Sequence, residues 1–249
     1  MTTRSPLDHD HSTEAIRRRL AEDPQISYLR DWVYGGIDGA VTTFAVVSGV
    51  MGARLSATII LILGIANLLA DGFSMAASNF SGTRTELDEH ERLRDVERRH
   101  IEENPAGERR EIREIYRQKG FTGEDLERAV EVITADRERW ISTMLREEYG
   151  LPHEVRSPRL AALSTFGAFV VCGAVPLVPY VLDRFLPVVA PFALSCILTG
   201  GVFFSIGAGR SRWSLAPWWR TGLETLFTGG IAAILAYLAG WVLRYWFGV

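Results

Sequence analysis

The chain is 249 residues long, and 27 Lys+Arg against 30 Asp+Glu leave a formal net charge of −3. A mean hydropathy of +0.07 averages two unlike kinds of segment: long uncharged stretches, and one stretch, about 84–156, that holds most of the ionised side chains. With 47% hydrophobic residues the chain is too apolar to be disordered, its near-zero charge gives no case for nucleic acid, and Cys172 and Cys196, each inside an apolar run, do not make a secreted disulfide scaffold.

Residues 1–27 are polar and charged, without the apolar core of a cleavable signal peptide, and read as a cytoplasmic tail. His9-Asp10-His11 in that tail could scavenge a metal. A bilayer core about 30 Å thick needs roughly 20 apolar residues in a helix. Five segments meet that length: Trp32 to Ala53, Leu55 to Gly82, Leu160 to Leu182, Phe185 to Gly209 and Thr225 to Leu243. Residues 28–82 then carry the first two spans, 153–249 the last three, and 83–152 a charged insert. The fold class is all-α, a polytopic protein of the lipid bilayer with five transmembrane helices.

The insert reads as three helices. The first continues out of the second span to about Glu103 and stops at Asn104-Pro105-Ala106-Gly107. A short helix covers about Glu108 to Lys119 with Gly120 past its end, and Thr122 with Asp125 resembles a capping box for a long helix to Tyr149. Leu126, Val130, Ile133, Trp140 and Met144 give that helix one apolar face. Arg17, Arg18, Arg19 and Arg30 precede the first span, and Arg210, Arg212 and Arg220 lie between the fourth and fifth. The positive-inside rule therefore puts the N-terminus, the insert and the 210–220 loop in the cytoplasm, with Trp213, Trp218, Trp219 and Trp246 near span ends as interface anchors.

An ionised Asp at mid-membrane costs about 2.5–3.5 kcal/mol, so each needs a reason. Asp38 is the one such residue of the first span and Asp71 of the second. Counted from the inner ends, Asp38 lies about 9 Å deep and Met75 about 8 Å, which sets them level. Asn67, Asp71 and Met75 share a face at four-residue steps, with Ser74 and Ser78 beside them, and Asp31 lies on the Asp38 face near the water boundary. These faces permit a ladder of oxygen and sulfur ligands for a cation; the competing reading is that each Asp bonds a neighbouring helix and Met75 merely packs. Gly35 and Gly39, a small-xxx-small pair, mark close helix contact. In the insert, Glu97 with His100, Glu108 with Glu111, and Glu111 with Glu114 are three apart and face one side in pairs. Carboxylates with one imidazole suit Fe2+ or Mn2+, but interleaved arginines equally fit a solvated, salt-bridged surface.

Asp31-Trp-Val-Tyr-Gly-Gly-Ile-Asp38-Gly-Ala-Val-Thr-Thr-Phe, Gly64-Ile-Ala-Asn-Leu-Leu-Ala-Asp71-Gly-Phe-Ser-Met75, a Glu-rich insert, and Gly173-Ala-Val-Pro176-Leu-Val-Pro179-Tyr together resemble the vacuolar iron transporter family over about residues 28–247. The resemblance implies a homodimer of five-helix subunits, an ion path between the first spans at the two-fold axis, a cytoplasmic metal-binding domain, and export of Fe2+ or a related ion in exchange for protons. By position it assigns Asp38 and Met75 to the transport site and Asp31 to its cytoplasmic entrance. It assigns Glu97, Glu111, Glu114, Met144 and Glu148 to the metal ligands of the insert, with Glu102, Glu103 and Glu108 as reserves. Asn67 stands where the family carries a membrane Glu, with Asp71 offering the charge one turn later, and His100 stands where a Glu is expected. Both departures make Mn2+ a rival to Fe2+ and leave Zn2+ and Co2+ open. No GxxxxGK[ST] loop is present, so a nucleotide is not expected, and the chain reads as a transporter rather than an enzyme. A membrane-tethered ferritin-like di-iron oxidase would want a second Glu-x-x-His beside Glu97-Arg-Arg-His100, and none occurs. A metal-responsive regulator would leave Asp38 and Asp71 unexplained. The absence of a targeting segment and the short loops point to a bacterial inner membrane.

Overall fold

The structure, a computed structural model, describes residues 10–21, 26–152 and 156–247, with the side chains of Trp213 and Phe247 outside that description; His9 lies outside it too. The described residues form helices and no strand. A helix α1 (Thr13–Ala21) stands in the tail, with Asp10 accepting from the backbone N–H of Ser12 just ahead of it. Five helices are long and apolar enough to cross a bilayer: α2 (Leu29–Gly52), α3 (Ala57–Glu103), the pair α7 (Pro158–Ala174) and α8 (Val178–Leu182), α9 (Pro191–Arg210), and α10 (Trp218–Phe247).

The five spans predicted from apolar length are all present, with shifted ends. Pro187 and Pro191 hold the start of α9 back to residue 191, and α10 begins at Trp218, so Arg220 and Glu224 sit in its first turns rather than in a loop. Trp218, Trp219 and Trp246 are exposed at the ends of α10. In the third span Pro176 and Pro179 each remove a backbone donor, and the chain tightens into a single 3-10 turn over Val175–Leu177. Ser195 of α9 donates to the Pro176 carbonyl at 2.7 Å, satisfying a buried acceptor there.

α2 is the hub, touching α3, α7, α9 and α10. Its approach to α7 is backbone to backbone. A Cβ on Gly35 would lie 2.2 Å from the Thr165 carbonyl oxygen, and one on Gly39 would lie 2.3 Å from that of Phe169. The small-xxx-small pair is therefore a packing seam, as its spacing predicts. Phe44, Val47, Val50, Ile60, Leu68 and Phe169 close the membrane core around it.

The insert is built on α3, which runs unbroken for 47 residues, about 70 Å. It ends where expected, at Asn104, whose side chain accepts from the Gly107 N–H at 3.1 Å and starts α4 (Pro105–Gln118) three residues earlier than predicted. Gly120 follows with φ +96°, a left-handed value that suits a residue without a Cβ. The long helix expected from Thr122 to Tyr149 is instead two, α5 (Gly123–Thr134) and α6 (Arg137–Glu147). Asp136 makes the break by accepting from the Arg139 N–H at 2.7 Å, an N-cap that restarts the helix. Thr122 makes no such side-chain bond, so the predicted capping box is not formed. The apolar face survives the break: Leu126, Val130, Ile133, Trp140 and Met144 bury together against Ile112.

Replacing Gly39 by Ala should lower stability in detergent by about 1–3 kcal/mol through overpacking against α7. Gly167→Ala, where nothing lies within 4 Å of the added methyl, should not. Thermal unfolding of both variants tests the seam, and equal melting temperatures would contradict it.

Candidate metal sites in the insert and the membrane

The insert folds three of its candidate ligands onto one point. Glu97 and His100 stand one turn apart on α3, and Glu108 reaches them from the first turn of α4, because the Asn104-Pro105 corner turns the chain back. One ligand atom from each of the three lies within 4.8 Å of the others. Ligands on opposite sides of an ion with bonds near 2.1 Å stand about 4.2 Å apart, so a small closure would seat a cation. Glu97 is 1% exposed and Glu108 4%, and the Oε2 of each is buried without a hydrogen-bond partner. Tyr149 donates to Glu97 Oε1 at 3.0 Å, and His100 Nδ1 lies 3.5 Å from Glu108 Oε1. Buried carboxylate oxygens are costly unless paired, and a divalent ion is the partner this donor set fits.

The electrostatics agree. Burial, then the neighbouring charges of Glu111, Glu97 and Glu148, push the Glu108 carboxyl up to about 7. Glu148 is also raised, by burial first and then by Glu97 and Glu111. Burial and the Glu97 bond raise the Tyr149 hydroxyl, which keeps it a donor. Glu97, His100 and Glu108 form the candidate cluster, with Glu111 and Glu148 in electrostatic reach.

The remaining candidates face elsewhere. Glu114 is held by Arg117 and Gln118, which drop its carboxyl to about 2. Glu102 pairs with Arg137, and Glu103 is exposed. Met144 is fully buried in the apolar cluster with Ile112 and Trp140. The salt-bridged reading holds over the surface, where Arg94 pairs with Glu138, Arg98 with Asp95 and Arg113 with Glu127, whereas among the described residues Glu97 and Glu108 have no guanidinium. Tyr149 was not among the residues singled out by spacing, since nothing local ties it to Glu97.

In the membrane, hydrogen bonds pin α2 to α3. Asn67 donates to the hydroxyls of Thr42 at 3.1 Å and Thr43 at 3.3 Å, and Asn79 donates to Asp31 Oδ1 at 2.9 Å. Antiparallel helices pinned at 79 against 31 and at 67 against 42–43 bring 71–72 level with 38. Asp71, not Met75, is therefore the residue at the depth of Asp38, and Asp38 lies within electrostatic range of it. Met75 falls about one turn nearer the insert, because α3 has no inner end at Gly82 from which depth could be counted. Asp38 is half-buried and Asp71 exposed on the single chain, and among the described residues neither carboxylate has a hydrogen-bond or ion-pair partner. Asn67 is spent on its two threonines.

Met75 and Asp31 meet in a cavity of about 310 Å³ on the insert side, with Ser78, Asn79, Glu86 and Arg156 in its wall. Asp31 is 3% exposed and tied on both oxygens, to Asn79 and to Arg156 Nη1 at 3.1 and 3.3 Å. Arg156 and Asn79 escaped the reading by sequence, the first as one more arginine at a span end, the second as a lone polar residue without a charge.

The chain has clear relatives. The sequence profile of the VIT family matches residues 29–241. A protein of Toxoplasma gondii named vacuolar iron transporter is 30% identical over 230 residues, covering 87% of this chain and 74% of that one. Vacuolar iron transporter 1 of Arabidopsis thaliana is 29% identical over 225 residues, 87% and 86% of the two chains. The vacuolar iron transporter of Plasmodium falciparum is 30% identical over 224 residues, 87% and 82% of the two. These relatives are eukaryotic and give no support to a bacterial inner membrane.

Because Glu108 titrates near 7 when folded and near 4.5 when unfolded, the native state holds the extra proton between those values. Without metal, stability should fall as pH rises through that window. Mn2+ affinity should rise over the same window, since binding expels the proton. Glu108→Gln should flatten both profiles, as read by thermal unfolding and calorimetry of the full-length protein.

Proposed function

The chain belongs to the VIT family, and on that premise we propose that it exports Fe2+, or Mn2+, from the cytosol across its membrane in exchange for protons. The observation that carries this reading is the pairing of Asp38 and Asp71, level with each other on adjacent membrane helices and without a side-chain partner among the described residues. Two such carboxylates cost about 2.5–3.5 kcal/mol each if they only sit in lipid. They are useful if a cation meets them. A carboxyl in a low-dielectric site holds a proton until a metal replaces it, so loading the site with metal releases protons and unloading takes them back. This cycle needs no nucleotide. The names of the relatives favour iron as cargo. Carboxylates and an imidazole in place of a thiolate set leave Mn2+ as its nearest rival, with Zn2+ and Co2+ behind.

The insert serves as the capture site. Asn79 at the mouth and Glu97 are 18 positions apart on one helix, about 27 Å. Glu97, His100 and Glu108 therefore cannot pass an ion directly to Asp31; they raise its local concentration above the mouth. Glu111 and Glu148 add to the negative field that draws it there.

A second copy of the chain completes the path. Asp71 lies exposed on the membrane part of α3, of which only 28% is buried in the single chain. A homodimer that covers the α2–α3 groove would enclose Asp38 and Asp71 between subunits and remove their contact with lipid. The arginines of the tail and the 210–220 segment favour an orientation with the insert in the cytosol.

Proteoliposomes with a pH dye inside test the cycle. Asp38→Ala should abolish metal-driven proton flux, and flux at the wild-type rate would refute the assignment. Glu97→Gln with Glu108→Gln should raise the half-saturating metal concentration by about tenfold or more and leave the flux at saturating metal largely intact.

A further inference from the structure

The cavity at the mouth of the α2–α3 groove holds a resident cation of its own. Arg156, two residues before α7, is largely buried and lays its guanidinium on Asp31, with Nη1 at 3.1 and 3.3 Å from the two carboxylate oxygens, while Nη2 lies 3.4 Å from Glu86 Oε2. Asn79 takes a further lone pair of Asp31 at 2.9 Å. A carboxylate offers about four acceptor positions, so Asp31 has little left for an ion unless the guanidinium leaves. The ionisable lining of the cavity is Asp31 and Glu86 against Arg30 and Arg156, which balance. Arg30 is turned to the Tyr34 ring, 5.8 Å from its centroid, so among the described residues Arg156 is the cation on the two carboxylates.

We propose that Arg156 is a specificity-determining residue of the entrance, a tethered guanidinium that a divalent ion displaces from Asp31 and a monovalent ion does not. The assignment rests on the transport reading above. A divalent ion gains twice the Coulomb attraction of a monovalent one at the same distance, and the Met75 sulfur in the same cavity adds a donor that transition metals accept and alkali ions refuse. Na+ or K+, meeting a neutralised mouth, gains nothing that offsets its hydration. Once displaced, Arg156 leaves the Asp31 and Glu86 carboxylates and the Met75 thioether lining one cavity, while Asn79 keeps its amide N–H on Asp31 and its oxygen on Thr83.

Mn2+ uptake by proteoliposomes of the full chain tests this, across a series of K+ concentrations. Arg156→Gln should lower the half-saturating Mn2+ concentration by about three- to tenfold, the effect of removing one partly buried like charge, and should make Mn2+ uptake sensitive to K+. Arg156→Lys keeps the charge and loses the fork, so it should fall between wild type and Gln. A merely structural tether would lose flux in both variants without any drop in half-saturation, and that result would overturn the proposal. Should Arg156→Gln fail to fold by size-exclusion chromatography, the Lys variant decides, and a half-saturation no lower than wild type sinks the assignment. A wild-type chain that moves neither Mn2+ nor Fe2+ removes the transport reading and this inference with it. A transporting wild type with unshifted variants removes the inference alone.

Discussion

One unbroken helix carries most of what this chain offers a cation. α3 presents Asn67, Asp71 and Met75 within the membrane, Asn79 and Glu86 at the mouth, and Glu97 with His100 in the insert. Its 47 residues have no proline and no internal cap, so the rod transmits position from one end to the other. The insert is held at a set height above the bilayer by this helix, and the small apolar core of α4, α5 and α6 needs only to fold back on it. Any bend in α3 would move Glu97 and His100 relative to Asp71 and Asn79.

The second constraint is the way buried charge is distributed. Asp31 is paired with Arg156 and Asn79, and Glu102, Glu114, Glu127 and Glu138 on the insert surface are paired with arginines, Glu114 one turn away and the others across helices. Among the described residues, Asp38 and Asp71 in the membrane have no such partner, and in the insert Glu97 and Glu108 each keep one buried oxygen without a hydrogen-bond partner. Burying a carboxylate without a partner costs several kcal/mol, so leaving pairs of them together at two places is expensive for a structure whose net stability is about 5–15 kcal/mol. On the reading proposed above, a cation that visits both pairs offsets that cost only while bound.

Close packing makes those placements possible. Gly35 and Gly39 let α7 approach α2 at backbone distance, and Thr165 of α7 thereby joins Asn79 at 2.7 Å behind Asp31. Asn67 and Asn79 then lock α3 against α2 at two heights. These amide contacts spend Asn67 and Asn79 on register and leave Asp38 and Asp71, which lie between them, without a side-chain partner among the described residues.

By itself the sequence determined the five spans, the charged insert, the glycine seam and the family likeness, because apolar length, charge runs and short motifs are local properties. It also delivered the pair Glu97 and His100, since three positions on a helix share a face whatever surrounds them. Tertiary structure alone decided that Glu108 rather than Glu114 joins that pair, because the choice depends on how the Asn104-Pro105 corner aims the first turn of α4. It alone decided that Asp71 lies level with Asp38, since register between helices is set by the Asn bonds across them and not by counting from guessed span ends. The Asp136 break in the last insert helix was hidden because the apolar period runs straight through it. Arg156 could not be found from its neighbours in the chain, for its partner Asp31 is 125 positions away and the contact exists only once α7 has docked on α2.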